Sequence, residues 1–366
     1  MALELRGGIR AAAPPGATAE LRRAARFLPD PRARDADPAY VAERARAEEA
    51  DGFDSALVTT YSSWPDPWLV AGWALAATPR LRVTVAHRPG VTAPTAAART
   101  LATLDRLSGG RAGVHVVIGS SDVDVRRDGD VAGKETRYRR AREYLSVFTR
   151  ALTAPEPFDH DGEFYTFRDA WSGLRPVQLP RPPISFGGTS EPGVRLAAEF
   201  ADVYAVGQRT PEEVRAAVSR VSALAAGHGR RLRYWRHVRC VLGADGTAAR
   251  ERAAEIVATG VRVIGERPPE ELAASAQLAR DTERDLRSVA ADIRAAAERQ
   301  LRAGMTGVLV GTPADVAGRI LEFHRAGVDI VQIDASTETA EDAELRRELV
   351  ALLRSGAGSP PAAPNG

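Results

Sequence analysis

The feature that most constrains how this 366-residue chain can fold is an alternation. A short β-rich run, a few turn-forming residues and a longer stretch with apolar residues at helical spacing recur along its length. The stretch LATLDRLSGGRAGVHVVIGS, residues 101–120, shows one unit. Leu101, Leu104 and Leu107 recur at helical spacing, and Gly109-Gly110 supplies the backbone freedom that ends a helix. The run Val114-His115-Val116-Val117-Ile118 then reads as a strand buried on both faces of a parallel sheet. Similar runs fall at 3–9, 55–60, 82–87, 112–119, 183–188, 202–207, 234–242 and 329–334. Helical patterns lie between and beyond them, at 38–51, 67–77, 94–107, 136–153, 191–200, 211–227, 248–259 and 314–326. Strands separated by helices run parallel, and eight of them predict a (β/α)8 barrel of the TIM type; a doubly wound sheet is the alternative the pattern allows.

Hydrophobic residues at 44% and charged residues at 27% suit one large core, so residues 1–353 are expected to form a single barrel. A charged stretch at about 261–302 reads as a helical insertion between strands seven and eight. The tail from 354 to 366 is Pro, Gly and Ala without core-forming letters and reads as disordered. The net charge of +2 comes from arginines set against nearly as many carboxylates, with Lys134 the only lysine. No single-sign run interleaved with aromatics appears, which argues against nucleic-acid binding. Nor does any segment reach the roughly 20 apolar residues of a membrane helix. The start MALELRGGIRAAAPPGA lacks the apolar stretch of a signal peptide, which makes the cytoplasm the expected compartment. Cys240 is the single cysteine, and the six histidines show no metal-ligand spacing.

In parallel α/β folds ligands gather at the carboxyl ends of the strands. Two of those ends carry chemistry. FGGTSE places Gly187, Gly188, Thr189 and Ser190 before a helix, where glycines admit close approach and hydroxyls and free N–H groups can hold a phosphate. The same letters also make an ordinary turn with an N-cap. On the seventh strand His237 and Arg239 share one face, with Arg302 at the end of the insertion. Facing the barrel mouth they would form an anion site; facing the other way they would meet helices. No Ser-His-Asp order, Walker loop or paired carboxylates supports a hydrolase.

Several stretches carry a family resemblance: WLVAGWALAATPRLRVTVAHRPGVTAPTAAARTLATLDRLSGGRAGVHVVIGSSD, TRYRRAREYL, FDHDGEFYTF, RPVQLPRPPISFGGTSEPGVRLAAEFADVYAV and GVLVGTPADVAGRILEFHRAGVDIVQID. In order and spacing the chain resembles the luciferase-like flavin monooxygenases from about Ala39 to Asp334, and within them the alkanesulfonate monooxygenase branch. The resemblance implies a (β/α)8 barrel and a homodimer or homotetramer. It also implies reduced FMN supplied by a separate NAD(P)H:FMN reductase, O2 as co-substrate and, in the sulfonate branch, splitting of a carbon–sulfur bond into an aldehyde and sulfite. By the same resemblance Thr189 and Ser190 contact the flavin phosphate, Tyr138 lies at the flavin site, His115 stands where the branch has an asparagine near the flavin, and Arg302 closes over the anion.

The chain also departs from that branch. Trp64 replaces an active-site cysteine, Ser336 a tyrosine after strand eight and Gly207 a tryptophan after strand six, while His237 and Arg239 exchange the branch's order. Tyr61 and Trp64 either offer stacking surface to a planar substrate or pack on neighbouring loops. The expectation is a two-component monooxygenase acting on a small acidic substrate, with Arg239, His237 and Arg302 as its catalytic cluster. A deazaflavin-dependent oxidoreductase, a tailoring monooxygenase on a non-sulfonate substrate and a non-catalytic flavin-binding barrel are the alternatives.

Overall fold

A computed structural model describes residues 2–10, 18, 22, 35–119, 122–207, 210–265, 305 and 307–358. Eleven strands lie among them: β1 (Glu4–Ile9), β2 (Ser55–Val58), β3 (Arg82–His87), β4 (Ala112–Val116), β5 (Phe158–Asp161), β6 (Thr166–Ala170), β7 (Ile184–Gly187), β8 (Val203–Ala205), β9 (Arg233–Leu242), β10 (Leu309–Gly311) and β11 (Ile330–Asp334). Eight of these pair in parallel as β1-β2-β3-β4-β7-β8-β9-β11, and β11 returns to β1. The ring is closed, a (β/α)8 barrel with its helices outside. β10 extends the ladder on the carboxyl end of β9, and β5 with β6 forms a separate antiparallel hairpin.

Helix starts follow local chemistry. Asp37, Asp66, Thr210 and Thr312 each accept hydrogen bonds from the first free N–H groups of the helix that follows, and a proline occupies the first turn, where no backbone donor is needed. Outward-facing strand residues such as Val83, Val85, Val114, Val116, Ile184 and Phe186 pack against helix residues in the main core. Inward-facing residues pack apart from them: Leu57, Val203, Trp235 and Ile330 form their own cluster. The last helix runs from Ala340 to Gly356 and includes Arg354, which donates to the Leu3 and Gly52 carbonyls and to Asp54. The ordered chain therefore passes residue 353 into what the sequence suggested was tail. Residues 266–304, which hold nearly all of the expected insertion, lie outside the described residues. Among the described residues no helix is long and apolar enough to cross a membrane.

Candidate active site at the barrel mouth

Strand alternation and register decide which side chains face the mouth. Trp235 belongs to the interior cluster, so Arg233, His237 and Arg239, two and four residues away on β9, face inward with it. Arg236 points the other way, its guanidinium carbon 4.0 Å from the ring centre of Phe323 on the helix Pro313–Arg325. On β11, Ile330, Gln332 and Asp334 oppose Trp235, His237 and Arg239. His237 and Arg239 thus sit on the mouth side, the arrangement an anion site needs. Sequence reasoning missed two companions: Arg10 donates to Asp334 at 2.8 Å, and the same carboxylate oxygen lies 3.9 Å from His237 Nε2. Desolvation lowers the His237 pKa, with Asp334 opposing, so the imidazole is neutral at neutral pH. Among the described residues the Arg10 and Arg239 guanidinium groups both act on the Asp334 carboxylate. Arg302 lies outside the described residues.

A second corner forms where β7 ends. Ser190 caps the helix Glu191–Phe200 by position, yet its hydroxyl does not bond the helix; it meets the Tyr138 hydroxyl at 2.9 Å instead. Tyr138 reaches in from the long helix Lys134–Thr153. Gly193 makes this approach possible, since a Cβ there would come within 3.2 Å of Ser190 Oγ and 3.3 Å of the Tyr138 hydroxyl. Tyr204 donates to the Gly188 carbonyl at 2.7 Å and fixes the turn. Thr189 is exposed beside it. Hydroxyls and free helix N–H groups gathered in this way fit a phosphate.

His115 lies one strand over. Its Nδ1 is 3.0 Å from Ser185 Oγ, and its ring stands edge-on to Trp235 at 4.8 Å between centroids. Gly187 presents no side chain to it: a Cβ there would lie 3.3 Å from His115 Cε1. Burial, and then the nearby Arg6 charge, push the His115 pKa down to about 3, so it works as a neutral hydrogen-bonding group.

Tyr61 and Trp64 occupy the loop after β2 and pack on each other, ring centroids 4.7 Å apart and tilted by 52°. Ser62 anchors this loop, donating through its backbone N–H and hydroxyl to Asp124, and Arg88 pairs with Asp124 and Asp128. Gly119, three residues past β4, admits the short helix Asp122–Arg127: a Cβ there would overlap Val125.

Residues 17–330 match the family described as luciferase-like monooxygenase. Among solved structures the chain is similar to riboflavin lyase RcaE, solved with a modified FMN and riboflavin, at TM-score 0.76 and 18% identity over 97% of this chain and 92% of that one. It is similar to EDTA monooxygenase EmoA from Chelativorans sp. BNC1, at 0.71 and 20% identity over 98% and 95%. Coenzyme F420-dependent tetrahydromethanopterin reductase from Methanopyrus kandleri is a third, at 0.68 and 18% identity over 95% and 97%. At such identities the likeness is one of fold.

Proposed function

The chain belongs to the luciferase-like monooxygenase family, and on that premise we propose that it is a two-component, FMN-dependent monooxygenase acting on a small acidic organic molecule. The leading reaction is oxidative cleavage of a carbon–sulfur bond in an organosulfonate-type compound. One oxygen atom of O2 goes to the carbon, giving an aldehyde and sulfite, and the other leaves as water. A separate NAD(P)H:FMN reductase supplies the cofactor, and a homodimer or homotetramer is the expected assembly.

One observation carries the reading: the Ser190–Tyr138 hydroxyl pair, freed from capping at a helix N-terminus, shares the mouth with inward-facing His237 and Arg239. A phosphate fits the first group and an organic anion the second. Bound there, reduced FMN supplies the two electrons that O2 needs. Ser190, Thr189 and Tyr138 would hold its phosphate, while neutral His115 offers one hydrogen bond to the ring system without adding charge. Arg239 and Arg10 would draw the substrate anion into the mouth, with Asp334 setting their orientation. Tyr61 and Trp64 would line the approach and exclude water.

Replacing Thr189 and Ser190 together by alanine should weaken FMN binding by about 1–3 kcal/mol, the scale of charge-assisted hydrogen bonds. Riboflavin, which lacks the phosphate, should bind the variant as it binds the wild type. Equal loss for both ligands, or unaltered FMN affinity in a calorimetric titration, contradicts the phosphate assignment.

A further inference from the structure

Below the mouth, polar side chains lie beside the interior apolar cluster, and some of their atoms are unmatched. On β1 the inward positions are Glu4, Arg6 and Gly8, because Arg6 lies over the Trp235 ring, its guanidinium carbon 4.9 Å from the centroid. Arg6 is 4% exposed. Its Nε donates to Ser55 Oγ at 3.3 Å and its Nη2 lies 3.8 Å from Glu4, but among the described residues Nη1 has no partner. Two neighbours share that condition. Trp235, 5% exposed, leaves its indole Nε1 without an acceptor, and Gln332, 8% exposed and the register partner of Arg6, leaves its amide oxygen Oε1 without a donor. Turning that amide would present its N–H to the same space. Buried polar atoms are rarely left so, and three together point to a missing group.

The charge balance says what kind of group. Among the described residues Glu4 is the one carboxylate paired with Arg6, and it is shared with Arg82 at 3.3 Å and Arg233 at 2.8 Å. Burial lowers the Arg6 pKa to about 10, which still leaves it cationic at neutral pH. A buried cation with a fractional counter-ion and an indole donor beside it selects an anionic oxygen over water.

Access comes from the level above. The inward positions there include Gly8 on β1 and Ala86 on β3, where barrels usually carry bulky side chains. A Cβ on Gly8, immediately above Arg6, would meet nothing nearer than Gln332 Nε2 at 4.0 Å. Gly8 is itself exposed, so the mouth reaches down to the inward position directly above Arg6.

We propose that Arg6 Nη1, Trp235 Nε1 and the Gln332 amide form a subsite that takes the anionic head of the substrate, a sulfonate or carboxylate inserted head-down into the barrel. The inference rests on the acidic-substrate reading above and relocates the anion from the rim to the barrel floor. The rim pair Arg239 and Arg10 then guides entry.

The test uses no flavin and no O2, so it stands apart from the phosphate assignment. Ligand-observed NMR follows the methyl signal of methanesulfonate, with neutral, near-isosteric dimethyl sulfone as control, at constant ionic strength. Wild-type protein should bind methanesulfonate and not the sulfone. Arg6→Met and Trp235→Phe should each weaken binding by about tenfold or more, the scale of a hydrogen bond to a charged group, a larger loss than Arg239→Gln causes. Trp235→Phe keeps an aromatic ring in the cluster while removing the donor, so it decides the matter if Arg6→Met does not fold. Methanesulfonate binding that survives both changes and disappears in Arg239→Gln would place the anion at the rim, overturning the floor subsite while leaving the acidic-substrate reading intact. Equal binding of the sulfone, or no binding by wild type, also overturns it.

Discussion

Individual residues show how far strand alternation can be pushed. Read alone, it puts His237 and Arg239 on one face but leaves open which face that is; the packing of Trp235 two residues earlier settles it. Arg6, Trp235 and Gln332 were legible by the same logic once one inward residue was known, because a charge at mid-strand in a barrel must face either the axis or a helix. What the sequence could not supply was that phase. Two buried histidines yield a prediction at this scale. Burial lowers His87 to about 4, with its Nε2 2.6 Å from the Tyr144 hydroxyl, and lowers His115 to about 3. The unfolded chain takes up these protons near pH 6.5 while the folded chain resists them, so stability falls as pH drops from about 6.5 toward 4. Each histidine contributes a slope of about 1.4 kcal/mol per pH unit in that window. Urea unfolding of His115→Asn at pH 7, 6 and 5 should show a shallower acid slope than wild type; an unchanged slope would mean that His115 is not held neutral by the fold.

Elements were legible where their boundaries carry local chemistry. The helices beginning at Pro38, Pro67, Pro94, Pro211 and Pro313 start where a proline in the first turn predicts. The hairpin of β5 and β6 was missed because FDHD and TFRDA carry charged letters and sit half exposed, without the apolar run that marks a barrel strand. β10 was missed because three residues are too few to show a period. The last helix closes the molecule through one buried side chain. Arg346 donates to Glu48 at 2.9 Å and to Asp51 at 3.0 Å, and its guanidinium carbon lies 4.7 Å from the Phe53 ring centre. Arg346→Met would strand a buried carboxylate, and the loss of stability should be about 3–5 kcal/mol, visible as a lowered unfolding midpoint. A midpoint within a degree of wild type would show that the cluster is not a structural tie.

At the scale of the whole molecule, the count of eight alternating strands led to the barrel, and the pairing of β11 with β1 closes it. Closure brings together residues far apart in the chain: Arg10 with Asp334, Tyr138 with Ser190, Arg6 with Trp235. None of these pairs was readable from spacing. The family resemblance supplied Tyr138 and Ser190 as a shared site, and the 2.9 Å contact between their hydroxyls brings the two together. The chain differs from the sulfonate branch it resembles at Trp64, Gly207 and Ser336, and there only the geometry of this chain can guide the choice of ligand. The cofactor is the claim on which the rest depends. An anaerobic titration of the protein with reduced FMN and, separately, with reduced deazaflavin, followed by mixing with aerated buffer while dissolved O2 is recorded, tests it directly. Saturable binding of reduced FMN and O2 uptake by that complex are the expected result; binding of the deazaflavin alone, with no O2 consumed, would contradict FMN as the cofactor.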